Sequence, residues 1–184
     1  MKKLVIISTA VAMAFSASSA FAAGSEASSM TVNGGTIKFI GSVTDAPCAI
    51  SMAVKDHVVI MKQVRTAHLT AAGQASGQPT AFKIDLEDCD TSTYSNATLT
   101  FNGTPDSTVS TALANQSTSN AASHVALQLY GPDGQPLNVG EASSSVTLIN
   151  GTNKIPLTVD YIATDAAATA GSVDATATVQ ITYS

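Results

Sequence analysis

Residues 173–184 of this chain read VDATATVQITYS, a stretch in which apolar and polar side chains alternate. Its apolar set is Ala175, Ala177, Val179, Ile181 and Tyr183, with Thr or Gln between neighbouring members. Successive side chains of a β-strand point to opposite faces, so the alternation predicts a strand with one apolar face. An apolar strand face needs a second layer to cover it, which favours a fold of stacked sheets.

Shorter runs with strand character occur along most of the chain. They lie at residues 49–54, 58–61, 81–86, 97–101, 125–130, 146–149 and 155–162. Turn signals such as Asn102-Gly103, Gly131-Pro132-Asp133-Gly134 and Asn150-Gly151 separate them. This spacing predicts an all-β antiparallel sandwich. Residues 107–123 are predicted as a loop with a short helical turn at 112–115, and residues 166–170 as a second loop.

The composition describes one folded domain with few charges. The chain has 184 residues, 45% hydrophobic and 11% charged, and a net charge of -5. Eight scattered basic residues cannot form the positive surface that nucleic acid requires, so we expect no nucleic-acid partner. Aromatic residues make up only 5% and Trp is absent, which disfavours a stacking platform for sugars or bases.

The N-terminus has the three parts of an export signal. Two lysines follow Met1, residues 4–15 are apolar, and Ala20-Phe21-Ala22 presents small residues to a signal peptidase. A membrane anchor is the alternative, but three serines within residues 16–19 interrupt the roughly 20 apolar residues that a span needs. We therefore expect residues 1–22 to be a signal peptide.

Export changes the interpretation of Cys48 and Cys89, the two cysteines of the chain. In an oxidising compartment they are most simply one structural disulfide. A redox pair or a set of metal ligands is the alternative, but no CxxC spacing occurs and the three histidines form no ligand-spaced cluster. A structural disulfide is the favoured interpretation.

Catalytic motifs are missing from the sequence. Neither G-x-S-x-G nor a G-x-x-x-x-G-K phosphate loop is present. Asp85, Glu87, Asp88 and Asp90 form the densest acidic cluster, which suits either acid-base chemistry, a cation site or the solvent face of a strand. The third interpretation is favoured because Ile84 and Leu86 would point inward between the acids. We predict no catalytic residue, metal site or cofactor.

A second alternating segment lies near the N-terminus. Ile37, Phe39 and Val43 fall in one phase, and Gly35 and Gly41 share it. The chain resembles the major pilins of type 1-like fimbriae, which are subunits of chaperone-usher pili. The likeness rests on VNGGTIKF at 32–39, GSVTDAPC at 41–48, DLEDC at 85–89, Gly171 and the penultimate Tyr183. Met61-Lys62-Gln63 departs from the Leu-Gly-Gln turn of many relatives. The residue at which the strand predicted at 58–61 ends is therefore left open.

The resemblance implies an incomplete immunoglobulin-like β-sandwich that lacks its final strand. Residues 23–43 would be an N-terminal extension and residues 44–184 the pilin domain. The extension would donate a strand through Gly35, Ile37, Phe39 and Val43 to the groove of a neighbouring subunit. The acceptor groove and chaperone contact would involve Gly171, Ala177, Val179, Ile181 and Tyr183.

The resemblance also implies partners and a location. The chain would polymerise with identical or related pilin subunits after contact with a periplasmic chaperone and an outer-membrane usher. A tip adhesin and a host receptor are further possible partners. The product would be an extracellular fimbrium on a Gram-negative bacterium, reached through the periplasm.

Two other functions stay open at this stage. The first is a minor adaptor or adhesive subunit of the same fold, contacting a host receptor through loops such as 107–123. The second is a secreted hydrolase or ligand-binding sandwich that acts alone, which predicts a stable monomer with a polar pocket. A rod subunit would greatly outnumber an adaptor, so abundance distinguishes the first alternative. A protein that acts alone would not polymerise, so polymerisation distinguishes the second.

Overall fold

The computed structural model describes residues 35–38, 41, 43–51, 58–165 and 167–184. The chain divides into two units, Met1–Gly41 and Ser42–Ser184. In the first unit the described residues are exposed and form no regular secondary structure. The second unit contains all of the strands described below.

The larger sheet of the second unit follows the order β1-β2-β8-β5-β4, with β6 paired to β5. Its strands are β1 (Ala49–Ile50), β2 (Thr80–Cys89), β4 (Leu113–Ala114), β5 (Val125–Tyr130), β6 (Pro136–Leu137) and β8 (Gly151–Ala163). All of these pairings are antiparallel. Strand β8 therefore forms the centre of the sheet, between β2 and β5.

The smaller sheet has the order β7-β3-β9 and is also antiparallel. It consists of β7 (Val146–Thr147), β3 (Asn96–Gly103) and β9 (Ala177–Tyr183). Thr66–His68 forms a single 3₁₀ turn. Among the described residues, none of the helical structure is long and apolar enough to cross a membrane.

The core lies between the inward faces of the two sheets. Leu86 of β2, Leu99 of β3 and Ile155 of β8 are its largest fully buried side chains. Phe82 and Phe101 meet edge to face across the sheets, with ring centroids 6.4 Å apart. The alternation along each strand produces this layer, because every second side chain points to the same face.

A buried carboxylate stabilises the outer face of the larger sheet. Asp160 of β8 is 3% exposed. It accepts hydrogen bonds from the Ser76 hydroxyl and, at 3.0 Å, from the Gly77 amide. The Ser76 amide in turn donates to the Tyr161 carbonyl at 2.8 Å. These bonds hold the segment before β2 against β8.

The main strands agree with the sequence-based prediction, and the short elements do not. The runs at 81–86, 97–101, 125–130 and 155–162 lie within β2, β3, β5 and β8. The helical turn predicted at 112–115 is wrong, because Leu113 and Ala114 pair with Leu127 and Ala126 of β5. Strand β6 was not predicted, and the strand predicted at 58–61 is absent. Residues 39, 40, 42, 52–54 and 166 of other predicted segments lie outside the described residues.

Candidate strand-binding groove

Among the described residues, strand β9 is an edge strand that pairs on one side only. It pairs along its whole length with β3, from Ala97 opposite Tyr183 to Gly103 opposite Ala177. The sheet order places β9 at the end of the three-stranded sheet. Half of the backbone N–H and C=O groups of an edge strand face away from its neighbour. β9 therefore offers a row of backbone groups to an additional strand.

The inward face of β9 is incompletely covered. Ala177, Val179, Ile181 and Tyr183 are only half-buried, although they pack against the main core. The neighbouring inward side chains of β3 are buried, with Ala97 and Leu99 both 0% exposed. Among the described residues, the inward side chains of β9 are therefore less well covered than those of the neighbouring strand β3.

Residues 58–61 contact the same core as the inward face of β9. Val59 and Met61 pack against the main core, whereas Val58 and Ile60 are 76% and 85% exposed. Within the described part of the chain, no strand pairing joins residues 58–64 to β9. The predicted strand at 58–61 has alternating burial but no partner strand among the described residues. We call the half-covered face of β9, together with the pocket at its N-terminal end that Val64 and Val173 line, the β9 groove.

One end of the β9 groove widens into a pocket of about 510 Å³. Val64 and Val173 form its two sides, and Leu69, Val125 and Tyr161 are among the residues beneath them. Arg65 lies at the same pocket and is exposed. Because Val173 precedes β9, the pocket marks the N-terminal end of that strand. Sequence reasoning missed these pocket residues, which belong to several distant segments.

Gly171 is required by a close backbone approach at this pocket. A Cβ atom placed on Gly171 would lie 2.5 Å from both the Asn120 carbonyl oxygen and the Ala121 carbonyl carbon, and would also contact the Ala122 amide nitrogen. Such distances are not accessible to a real side chain, and backbone atoms cannot rotate away. The Ser172 amide donates to the Asn120 carbonyl at 2.7 Å, which holds the two segments together.

Replacing Gly171 with Ala is expected to lower the stability of the domain. The clash with residues 120–122 should cost about 2 kcal/mol, or roughly 4–8 °C in Tm for a domain of this size. Thermal unfolding of the purified protein measures the loss. Gly41→Ala is the control, because a Cβ there meets no atom within 4 Å. Equal Tm values for the two variants would contradict the steric argument.

Tyr183 ends β9 and places its hydroxyl in an apolar setting. The hydroxyl oxygen is buried and has no hydrogen-bond partner. Burial raises the pKa of Tyr183 above the ordinary value of 10.0. Burial also raises the pKa of Tyr130 and of Tyr161, and the nearby Asp160 carboxylate adds to both shifts.

These tyrosines predict a loss of stability at alkaline pH. Their pKa is higher in the folded state, so the unfolded chain releases its protons first as pH rises. Stability is fully present below pH about 10 and decreases as pH rises through the folded-state pKa. Denaturant unfolding followed from pH about 9 to about 11.5 should show this decrease. A variant with Tyr130→Phe and Tyr161→Phe should flatten it, and an unchanged slope would contradict the assignment.

The predicted donor residues that the structure describes are exposed. Ile37 is 77% exposed and Val43 is 102% exposed, which is unusual for large apolar side chains. Gly35 is also exposed, and Phe39 lies outside the described residues. The predicted donor and acceptor sets thus both expose apolar surface.

The predicted disulfide is present. Cys48 and Cys89 are bonded, with Cα atoms 4.1 Å apart and a sequence separation of 41. The bond joins the residue before β1 to the last residue of β2. Nearby, Asp85 pairs with Lys83 at 2.8 Å and Glu87 is exposed, while Ile84 and Leu86 are buried. The acidic segment is therefore the solvent side of β2, as predicted.

The described part of the chain thus combines a two-sheet β-sandwich, a C-terminal strand at a sheet edge and exposed apolar residues ahead of the first strand. The family model described as fimbrial protein matches residues 37–184. The type-1 fimbrial protein A chain of Escherichia coli K12 is 40% identical, covering 96% of this chain and 98% of its own length. This chain belongs to the fimbrial protein family.

Two solved structures of pilins are similar to this chain. A chaperone-usher pilus structure is 26% identical with a TM-score of 0.69, covering 85% of this chain and 99% of the other. The P pilus rod subunit PapA is 26% identical with a TM-score of 0.63, covering 76% of this chain and 100% of the other. The fold is therefore that of an immunoglobulin-like pilin, and the chain is a structural fimbrial subunit of extracellular pili and not an enzyme.

Proposed function

We propose that this chain is the major rod subunit of a chaperone-usher fimbria and polymerises head to tail by donor-strand exchange. The observation that carries the proposal is the unpaired edge of β9 above a half-covered apolar face. An exposed edge of this kind leads to aggregation unless another strand covers it. Strand addition satisfies the backbone groups and buries the side chains at once.

Residues 35–43 of a second copy suit the β9 groove in length and phase. From Gly35 to Val43 the inward phase spans eight residue steps, the same as from Ala175 to Tyr183. Burial of Ile37, Phe39 and Val43 would contribute about 1.5–3 kcal/mol each. The backbone hydrogen bonds of the added strand come in addition.

An antiparallel orientation fits the side chains better than a parallel one. It sets Gly35, which has no side chain, beside the bulky Tyr183 at the C-terminal end of β9. It also brings Val43 to the apolar pocket of Val64 and Val173. A parallel strand would place Val43 against Tyr183 and leave only glycine at the pocket. Every named strand pairing in the described part of the chain is likewise antiparallel.

The predicted domain boundaries follow from this arrangement. Residues 1–22 would be removed on export, residues 23–43 would form the donor extension and residues 44–184 the accepting domain. Donor and acceptor surfaces differ, so each subunit can bind one more at each end and the contact generates a filament. A periplasmic chaperone would cover the groove first, with Tyr183 at the contact, and the outer-membrane usher would be the place of exchange.

The rod role, as opposed to a minor adaptor, is supported by similarity to a type-1 A chain and to a pilus rod subunit. A rod subunit should be the most abundant protein of purified fimbriae. Quantitative mass spectrometry of sheared fimbriae measures this ratio. A chain present at a few copies per fimbria would instead be an adaptor.

Donor-strand polymerisation is tested by gel electrophoresis of surface protein in SDS, with and without boiling. The full chain should give a high-molecular-weight ladder that collapses on boiling. A variant lacking residues 23–40 should give none. A soluble monomer from the full chain in the unboiled lane would overturn the proposal, because the sandwich would then be complete by itself.

A further inference from the structure

We propose that Arg65 at the mouth of the β9 groove forms an ion pair with Asp45 of the next subunit in the filament. The inference rests on the proposed function and adds a contact outside the groove. Both residues are exposed. Within the described residues the ion pairs join Lys83 to Asp85 and His124 to Asp165, so neither Arg65 nor Asp45 has an opposite charge there.

The chain connection brings the two residues together. In the antiparallel arrangement Val43 enters the pocket that Arg65 lines. Asp45 follows Val43 by two residues, so their Cα atoms are at most about 7 Å apart. The carboxylate must therefore emerge at the mouth of the pocket, within reach of a long guanidinium side chain.

The two residues cannot pair within one molecule. Asp45 lies beside Asp88, Asp90 and Tyr94, next to the disulfide. Cys89 of that disulfide pairs with Gly151 at the beginning of β8, whereas Tyr161 at the Arg65 pocket lies ten residues further along the same strand. Ten residues of strand span about 33 Å. A contact between Asp45 and Arg65 can therefore form only between subunits.

The charge pattern makes the contact directional. Asp88 and Asp90 extend the negative charge around Asp45, and Lys62 is an exposed cation three residues before Arg65. Complementary charges at the rim of an interface steer association and fix register more than they add affinity. A strand shifted by two residues would keep its inward phase, but it would either move Asp45 about 7 Å further from Arg65 or push the Asp45 carboxylate into the apolar pocket. The ion pair thus selects one register among those that the alternation allows.

The test uses charge-exchange variants of the full chain assembled into fimbriae. Dissociation is followed in urea, which adds no charge, and the remaining polymer is read on unboiled SDS gels. Arg65→Asp and Asp45→Arg should each dissociate about 3- to 10-fold faster than the parent fimbriae. The double variant restores an opposite-charge pair at every junction and should return to within about twofold. Lys154→Glu, an exposed cation of β8 that lines neither pocket, should match the parent.

Salt provides a second measurement in case a charge reversal prevents assembly. The parent fimbriae should dissociate faster as NaCl rises from about 50 to about 500 mM, because salt screens exposed ion pairs. Arg65→Gln and Asp45→Asn fimbriae should lose most of this dependence. Equal rates for parent and single variants, or a double variant that stays fast, would overturn the ion pair alone. Absence of a boiling-sensitive ladder in the parent would overturn donor-strand exchange itself.

Discussion

A Phe39→Asp variant is expected to yield no boiling-sensitive ladder. In the proposed arrangement the Phe39 ring is buried in the β9 groove of another subunit. Its replacement forfeits about 1.5–3 kcal/mol of apolar burial and leaves a carboxylate without a partner in an apolar site. Together these changes should weaken the junction by about 5 kcal/mol or more, which is a loss of over about 10³-fold in affinity.

Lys38→Asp is the matched control for this experiment. Lys38 neighbours Phe39 in the sequence but has the opposite phase, so its side chain would face solvent along an added strand. The control changes the net charge by two, compared with one for Phe39→Asp, and should still form a ladder. A ladder from both variants would exclude Phe39 as a donor residue, and loss from Lys38→Asp alone would reverse the assigned phase.

Co-expression with the parent subunit tests whether the Phe39→Asp variant keeps a competent groove. Its own acceptor domain belongs to Ser42–Ser184, whereas Phe39 belongs to the unit Met1–Gly41. The variant should therefore accept a strand from the parent subunit but fail to donate one. Mixed expression is expected to shorten the parent ladder in proportion to the variant present. An unaffected parent ladder would mean that the variant does not fold.

The sequence predicts the long strands well because their side chains encode the burial pattern directly. In β3, Ala97, Leu99 and Phe101 alternate with polar residues, and the structure buries those three side chains. The short strand β4 could not be predicted in this way. Leu113 and Ala114 are too short a run to show an alternation of apolar and polar residues. They form a strand because they pair with Leu127 and Ala126 of β5.

The groove illustrates a different limit of sequence reasoning. The sequence predicts a strand at 58–61, and Val59 and Met61 do pack against the core, but the described residues there form no strand. A run of strand-forming residues cannot tell whether a partner strand is present. The pocket of Val64, Leu69, Val125 and Val173 arises from segments far apart in the chain. Only the three-dimensional arrangement reveals them as one surface.

The role of Gly171 could be predicted only in part from the sequence. The resemblance to pilins marks the residue, but composition and period give no reason for it. The reason is a close approach to the backbone of residues 120–122, about 50 positions earlier in the chain. Because such contacts join distant segments, a glycine needed for steric reasons cannot be told from any other glycine in the sequence alone.

Removing the Cys48–Cys89 disulfide is expected to cost about 3–4 kcal/mol of stability, because the bond closes a loop of 41 residues in the unfolded chain. This corresponds to roughly 6–16 °C in Tm. Thermal unfolding with and without a thiol reductant measures the change, and a Cys48→Ser, Cys89→Ser variant should reproduce it. Identical Tm values for the reduced and oxidised protein would show that folding is indifferent to the bond.

The same bond is expected to matter more under tension than at rest. In the proposed filament, force enters each subunit through its donor strand and reaches Cys48 within five residues of Val43. Beyond that point the short strand β1 pairs with β2 through Ala49 and Ile50, and the Ser51 amide donates to the Asp85 carbonyl at 3.2 Å. The disulfide transfers the load directly to β2, which pairs with β8 from Thr80 to Leu86. Single-filament stretching in reductant should therefore extend each subunit at lower force, and unchanged force curves would place the load elsewhere.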